Sequence, residues 1–146
     1  MTKVVATGTF DIIHPGHLFY LAESRKLGDE LYVIVARDAN VRHKPRPVIR
    51  EEQRRNIVAS LKPVDYAVLG DLNDMFRPIE EIRPDIITIG YNQHFDTERL
   101  KRDLLDRHIM ADVVRIGTYS KDPFCSSRLI VAEILKRAGC NPETEG

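Results

Sequence analysis

The sequence predicts an α/β fold: a five-stranded parallel sheet with helices covering both faces. Three observations lead there. Short apolar runs alternate along the chain with stretches of helical periodicity, the pattern of repeated strand–helix–strand units. The runs are hydrophobic nearly throughout, as strands buried on both faces must be. The length, 146 residues, suits one domain with a real core, and no internal repeat, low-complexity segment or domain boundary interrupts it. The expected domain is residues 1–146, with 140–146 a loose polar tail.

The elements follow in order. VVATGTF (4–10) reads as the first strand, and HPGHLFYLAESRKLG after it as a helix closed by a glycine. DELYVIVARD (29–38) contains the second strand; ANVRHKPRPVI (39–49) is a basic loop holding two prolines. REEQRRNIVASLKP (50–63) is helical, with Ile57, Val58 and Leu61 expected on its inner face. DYAVLG is a short strand, and DLNDMFRPIEEIRP a loop and short helix ended near Pro84. DIITIG (85–90) is the fourth strand. DTERLKRDLLDRH (96–108) is an exposed helix with Leu100, Leu104 and Leu105 expected inward, and ADVVRIG (111–117) is the fifth strand. YSKDPFC is a loop, and SSRLIVAEILKRAG (126–139) a last helix with serine at its start and glycine at its end.

Composition removes several function classes. Twenty-two basic residues balance 22 acidic ones, which argues against a nucleic-acid binder relying on bulk positive charge. No apolar run approaches the roughly 20 residues of a membrane helix. The chain enters a strand almost at once with no visible signal peptide, so a cytoplasmic location is expected. Cys125 and Cys140 flank the last helix, about 20 Å apart at about 1.5 Å per residue. A disulfide needs Cα atoms within about 7 Å, so reduced thiols are expected, and two cysteines alone are a weak metal signal.

The chemistry concentrates in GTFDIIHPGH (8–17), where the first strand gives way to the first helix. Gly8 permits a close approach of ligand or backbone. His14 and His17 stand three apart and can share one side of a helix start. Pro15 suits the first helical turn and Gly16 leaves room. The helix N-terminus adds unpaired N–H groups and partial positive charge. Together these can hold a polyphosphate and stabilise charge growing on phosphorus. The glycine-rich nucleotide patterns GxGxxG and GxxxxGK[ST] are absent. No third ligand is fixed by spacing to make a metal site from the histidine pair, so no protein-built metal site is expected.

This stretch resembles the signature of the HxGH nucleotidyltransferase superfamily in its cytidylyltransferase-like branch, G-x-F-D-x-x-H-x-G-H. Other landmarks of that family fall in order: ARD at 36–38, a basic loop with Lys44, EEQR at 51–54, VD at 64–65, PDIITIG at 84–90 and SS at 126–127. The resemblance implies a single Rossmann-like three-layer α/β/α domain. It also implies transfer of a nucleoside monophosphate from a triphosphate to a phosphorylated acceptor, with release of pyrophosphate. By resemblance, His14, His17 and Lys44 are the catalytic set. Thr9, Phe10, Pro15, Gly16, Ser126 and Ser127 join the histidines in holding the nucleotide, Thr9 and Phe10 through backbone and side chain. A divalent cation, magnesium, is implied, held largely by the triphosphate, and so is a homodimer.

Within the family the chain resembles the archaeal-type FAD synthases, small enzymes that join the AMP of ATP to FMN. The shared stretches are VIVARD (33–38), LKPVD (61–65), GYNQ (90–93) and PFCSS (123–127). ATP and FMN are then the implied substrates, and Asn92 and Tyr119 match positions near the adenosine. Asp38, Arg54 and Lys121 are implied on the substrate side, with Arg54 near the phosphates; Asp38 could orient an acceptor hydroxyl or cap the following loop. Tyr91, Phe95, Tyr119 and Phe124 could form a bed for a flavin ring or serve as loop packing. The alternative is a cytidylyltransferase activating glycerol 3-phosphate or another alcohol phosphate with CTP. Such enzymes carry R-T-x-G-I-S-[ST]-T before the last helix, where this chain has KDPFCSSR. An adenylyltransferase for another acceptor, or a regulatory nucleotide-binding module without turnover, are the remaining readings.

Overall fold

The computed structural model describes residues 1–42, 46–91, 93–119 and 121–139. Five strands and five helices are set in alternation among these residues: β1 (Lys3–Gly8), α1 (Pro15–Arg25), β2 (Glu30–Val35), α2 (Glu51–Ala59), β3 (Tyr66–Leu69), α3 (Arg77–Ile82), β4 (Ile86–Ile89), α4 (Thr97–Asp106), β5 (Asp112–Arg115) and α5 (Ser127–Arg137). The strands form one sheet in the order β3-β2-β1-β4-β5, every pair parallel. This is the Rossmann-like α/β architecture that the alternation predicts.

Side-chain alternation along each strand builds two cores. Val4 and Ala6 of β1 pack with Leu31, Val33 and Val35 of β2 against Leu21 of α1 and Val58 of α2. Val5 faces the other way and joins Ile87 and Ile89 of β4, Ile79 of α3, and Leu100 and Leu104 of α4. Each of these side chains is buried, and each of the valines, leucines and isoleucines contributes roughly 1.5–3 kcal/mol of burial free energy.

Three local expectations are corrected. On α2, Ile57 is 40% exposed and Arg54 is fully buried; the inner stripe is Arg54, Val58 and the half-buried Leu61. On α4, Leu104 is buried while Leu105 is 48% exposed, because adjacent residues stand about 100° apart on a helix and cannot share its inner face. The first strand ends at Gly8, not at residue 10, because Phe10 takes a left-handed backbone, φ 55°, and turns the chain out of the ladder.

The fold positions its site through strand order. From β1 the chain moves outward to β2 and β3, then returns to the other side of β1 to lay down β4 and β5. The connections after β1 and β4 therefore leave toward opposite faces, α1 on one core and α4 on the other. A crevice opens between the carboxyl ends of β1 and β4, the place where open α/β sheets bind ligands.

Candidate active site

The crevice begins at the end of β1. Phe10 tucks its ring into the first core, 3% exposed. A Cβ at Gly8 would lie 2.8 Å from that ring, so only glycine fits there. The Phe10 ring also supports the His17 imidazole, centroids 5.2 Å apart. The Phe10 ring thus packs inward, while the residue still lines the crevice.

The helix start is built from imidazoles where other helices use serine and glutamate. His14 is the N-cap of α1; its Nδ1 accepts from the Gly16 N–H (3.1 Å) and the His17 N–H (3.4 Å). His17 Nδ1 accepts in turn from the His14 N–H (3.4 Å). The rings stack with centroids 3.7 Å apart. Since Nδ1 accepts in both, each neutral ring carries its proton on Nε2. Burial holds the His14 imidazole below its ordinary range, so it rests neutral at pH 7. Pro15 sits in the first turn of α1 and is not among the cleft-lining side chains.

A second helix start meets the first. Ser126 caps α5 by accepting from the Leu129 N–H at 3.2 Å. The approach depends on Gly16: a Cβ there would lie 2.6 Å from the Cys125 carbonyl oxygen and 2.9 Å from His14 Cε1. Two eleven-residue helices therefore direct their N-terminal amides into one cleft, a strong place for an anion. The cleft is lined by Thr7–Phe10, His14, Gly16 and His17 on one side, by Gly90, Tyr91 and Gln93 on another, and closed by Ile116, Gly117, Tyr119 and Cys125–Ser127. Cys125 is a free thiol.

Polar side chains fix the walls. The Tyr20 hydroxyl donates to the Thr88 carbonyl (2.9 Å) and lies 3.4 Å from the Thr7 amide and carbonyl. Burial pushes its pKa up to about 12 against the opposing hydrogen bonds, so it stays a neutral bridge. Tyr119 stacks on Phe19, centroids 5.0 Å apart, and donates to the Asp122 carboxylate at 2.5 Å, which holds its proton more tightly than usual.

Of the substrate-side residues, Asp38 and Arg54 form a unit and Lys121 stands apart. Arg54 Nη2 donates to Asp38 Oδ1 (2.5 Å), Nη1 to the carbonyls of Thr9 (2.7 Å) and Ala36 (2.8 Å), and Nε to that of Ile49 (2.8 Å). With its side chain wholly buried and most of its N–H donors spent on these partners, Arg54 supports the ends of β1 and β2 from beneath. Asp38 also accepts from the Glu51 N–H, while Glu51 accepts from the Asp38 N–H and pairs with Arg37. Asp38 and Glu51 line a second depression with Arg42 and Arg46. Asp11 takes the amides of Val48 and Ile49, both at 2.9 Å, and so anchors the segment leading into α2. Lys121 is exposed and is not among the lining side chains. Lys44, Asn92 and Cys140 lie outside the described residues, as does the expected tail.

Of the four loop aromatics, Tyr91 and Tyr119 reach the cleft. Phe95 packs on the second core, and Phe124 is 40% exposed. Sequence reasoning passed over Phe19, Tyr20, Gln93 and Arg115. Tyr20 stands three after His17, a helical spacing that could have disclosed it.

Among the described residues no group of three or more His, Cys, Asp or Glu side chains could hold a metal ion, and no helix is long and apolar enough to cross a membrane.

Comparison with known proteins agrees with this geometry. The cytidylyltransferase-like family matches residues 5–133. An FAD synthase from Methanospirillum hungatei is 71% identical over 136 residues, covering 93% of this chain and 87% of that protein. One from Ferroglobus placidus is 58% identical over 138 residues, covering 94% and 91%. A lipopolysaccharide core biosynthesis protein from Thermoplasma volcanium superposes with a TM-score of 0.80 at 46% identity, over 82% of this chain and 99% of that one. Pantothenate synthetase from Thermus thermophilus shares the fold, with a TM-score of 0.62 at 14% identity over 98% of this chain and 63% of that one.

Proposed function

We infer that this chain, which belongs to the cytidylyltransferase-like family and within it to the FAD synthases, transfers AMP from ATP to FMN, forming FAD and pyrophosphate. The substrates are read from the near-full-length likeness to proteins of that name. The observation that carries the chemistry is the stacked His14–His17 pair, its Nδ1 atoms committed to capping, at a cleft where two helix N-termini converge.

A phosphate oxygen of FMN attacks the α-phosphorus of ATP. The bond to the bridging oxygen breaks, and the electron pair leaves on pyrophosphate. The attacking monoester is already anionic near neutral pH, so no strong general base is needed; the task is to position two mutually repelling anions. His14 and His17 would donate from Nε2 to oxygens of the reacting phosphates as their charge grows. The backbone of Thr9 and Phe10 and the amides and hydroxyls of Ser126 and Ser127 would hold the triphosphate. Tyr119 would lie against the adenosine, with Asn92 assigned beside it by resemblance. Lys44 would bring a mobile positive charge from the basic loop. The depression at Asp38, which shares the Arg54 support with Thr9, would receive the acceptor side. A divalent cation, magnesium, would enter with the triphosphate, held by its phosphate oxygens and by water, and would neutralise charge on them.

A homodimer and a cytoplasmic location complete the reading. α5 has no buried residue, yet Leu129, Val131 and Ile134 are 41%, 39% and 56% exposed. Val131 and Ile134 stand three apart on one face, and a second copy packed there would bury them and steady the serines at the helix start. ATP and FMN are nucleotides of the cell interior.

The test incubates reduced, purified protein with FMN and either ATP or CTP, first with magnesium and then with other divalent ions, and identifies products by mass. FAD from ATP is expected. No flavin dinucleotide under any condition overturns the reading.

A further inference from the structure

The brace that Arg115 and Gln93 make across the cleft has no part in the chemistry above. It begins where β1 and β4 separate. Their ladder runs through Ala6↔Thr88. Beyond it, the Gln93 side chain takes the place of a peptide group: its Oε1 accepts from the Gly90 N–H (2.6 Å), and its Nε2 donates to the Thr7 carbonyl (3.3 Å). On the other side β4 and β5 stay paired through Ile89↔Arg115, and the Ile116 N–H donates to the Ile89 carbonyl at 2.9 Å. The Arg115 side chain turns back over the loop after β4. Nη1 donates to the carbonyls of Gly90 (3.1 Å) and Gln93 (2.8 Å), and Nη2 to that of Phe95 (2.7 Å).

We propose that Arg115, acting through the Gln93 side chain and the carbonyls of Gly90, Gln93 and Phe95, is a positioning residue that sets the affinity of the cleft for ATP and its preference for adenine over cytosine. The inference rests on the reading of this cleft as the nucleotide site. Arg115 is not among the cleft-lining residues, so it works without touching the ligand. Two effects follow from the geometry. The wall carrying Gly90, Tyr91 and Gln93 is tied to the wall carrying Ile116, Gly117 and Tyr119, so the tie sets the width of the cleft, which a two-ring purine would fill more fully than a one-ring pyrimidine. Three carbonyl dipoles are also turned onto a cation, leaving less negative potential for the incoming polyanion to oppose. Lysine is a poor substitute, because one ammonium lacks the fork that spans three carbonyls.

The experiment compares wild type with Arg115→Met, Arg115→Lys and Gln93→Glu. Binding of a non-hydrolysable ATP analogue is titrated directly; KM for ATP, KM for FMN, the ATP-to-CTP ratio of kcat/KM, and Tm are measured alongside. Arg115→Met is expected to weaken analogue binding and raise KM for ATP about tenfold, with the nucleotide ratio falling in step and KM for FMN moving less than about twofold. Arg115→Lys should fall between wild type and Met. Gln93→Glu keeps the acceptor for Gly90 but loses the donor to Thr7, and should shift the same constants. Unchanged analogue binding, or equal changes in both KM values with an unchanged nucleotide ratio, would reduce the brace to a stabilising contact and overturn the proposal. Should Arg115→Met fail to fold, Arg115→Lys and Gln93→Glu decide. A wild type that binds the analogue and makes no FAD overturns the proposed reaction alone, because the binding arm still tests the brace; one that binds no ATP analogue overturns both.

Discussion

Arg54→Met separates a supporting role from a ligand contact. The native guanidinium spends four hydrogen bonds on Thr9, Ala36, Ile49 and Asp38 and is wholly buried. Methionine fills much of the same volume without a donor. The three carbonyls and the carboxylate then lose their partner, at about 1–3 kcal/mol for each that stays buried. Not all do: the Asp38 side chain is 37% exposed and Thr9 lines the cleft, so water can replace part of the loss. The net destabilisation should be about 3 kcal/mol, at the low end of what breaking a buried ion pair costs. For a chain of this length that lowers Tm by roughly 6–12 °C. Thermal unfolding followed by circular dichroism at fixed pH reads it. Arg54→Lys, which retains the charge and reaches fewer acceptors, should lose less. The Met variant should also lose kcat, because the Thr9 carbonyl is released at the start of the signature loop. A wild-type Tm with a raised KM for one substrate alone would show that the guanidinium touches that substrate and would refute the supporting role.

Four further outcomes are expected. His17→Ala should reduce kcat by about 10²–10³, the effect of deleting one donor to transition-state charge; turnover near wild type in steady-state assays would contradict its role. Gly16→Ala should depress turnover by pushing a methyl onto the Cys125 carbonyl and His14. Gly28→Ala, whose Cβ would meet Val4 Cγ2 at 2.7 Å and the Thr2 carbonyl at 2.8 Å, should lower Tm and leave kcat alone; paired unfolding and rate measurements would expose any other pattern. Burial lowers the His14 pKa from its usual 6.5, so below that pH the unfolded chain binds the proton more readily than the native one. The stability contributed by the neutral ring is present in full above pH 6.5 and is lost as pH falls through the lowered folded value. Urea midpoints across that window should slope less in His14→Asn, which keeps a capping acceptor; an unchanged slope would assign the effect to another group.

The strands were legible because stretches such as VIVA and IITI carry the burial of both sheet faces in their own composition. The place of His14 and His17 at a helix start was legible within the ten residues 8–17; their mutual capping was not, because imidazoles are not the usual N-cap side chains. The burial of Arg54 was not legible because its acceptors come from Thr9, Ala36 and Ile49, which only folding assembles, and an arginine on a helix is ordinarily a surface residue. Gln93 was read past although it adjoins Asn92, because its partner Thr7 lies 86 residues away. The turn at Phe10 was not legible, because its left-handed φ carries no signature in a residue type that rarely adopts it.

The two histidines also constrain each other, and this bears on how the cleft handles charge. His14 is held neutral by burial, and its ring lies 3.7 Å from that of His17. Two imidazolium rings at that separation repel strongly, so the pair accepts a second positive charge only at high cost. A proton added to either ring would have to go to Nδ1, since Nε2 already carries one, and would cost the capping N–H groups their acceptor. The cap therefore favours neutral rings, and no permanent cation has to be desolvated in the cleft. With Nδ1 engaged in capping on both rings, each keeps its proton on Nε2. The pair is therefore fitted to stabilise phosphate oxygens, and not to remove a proton from the attacking group, which needs none removed.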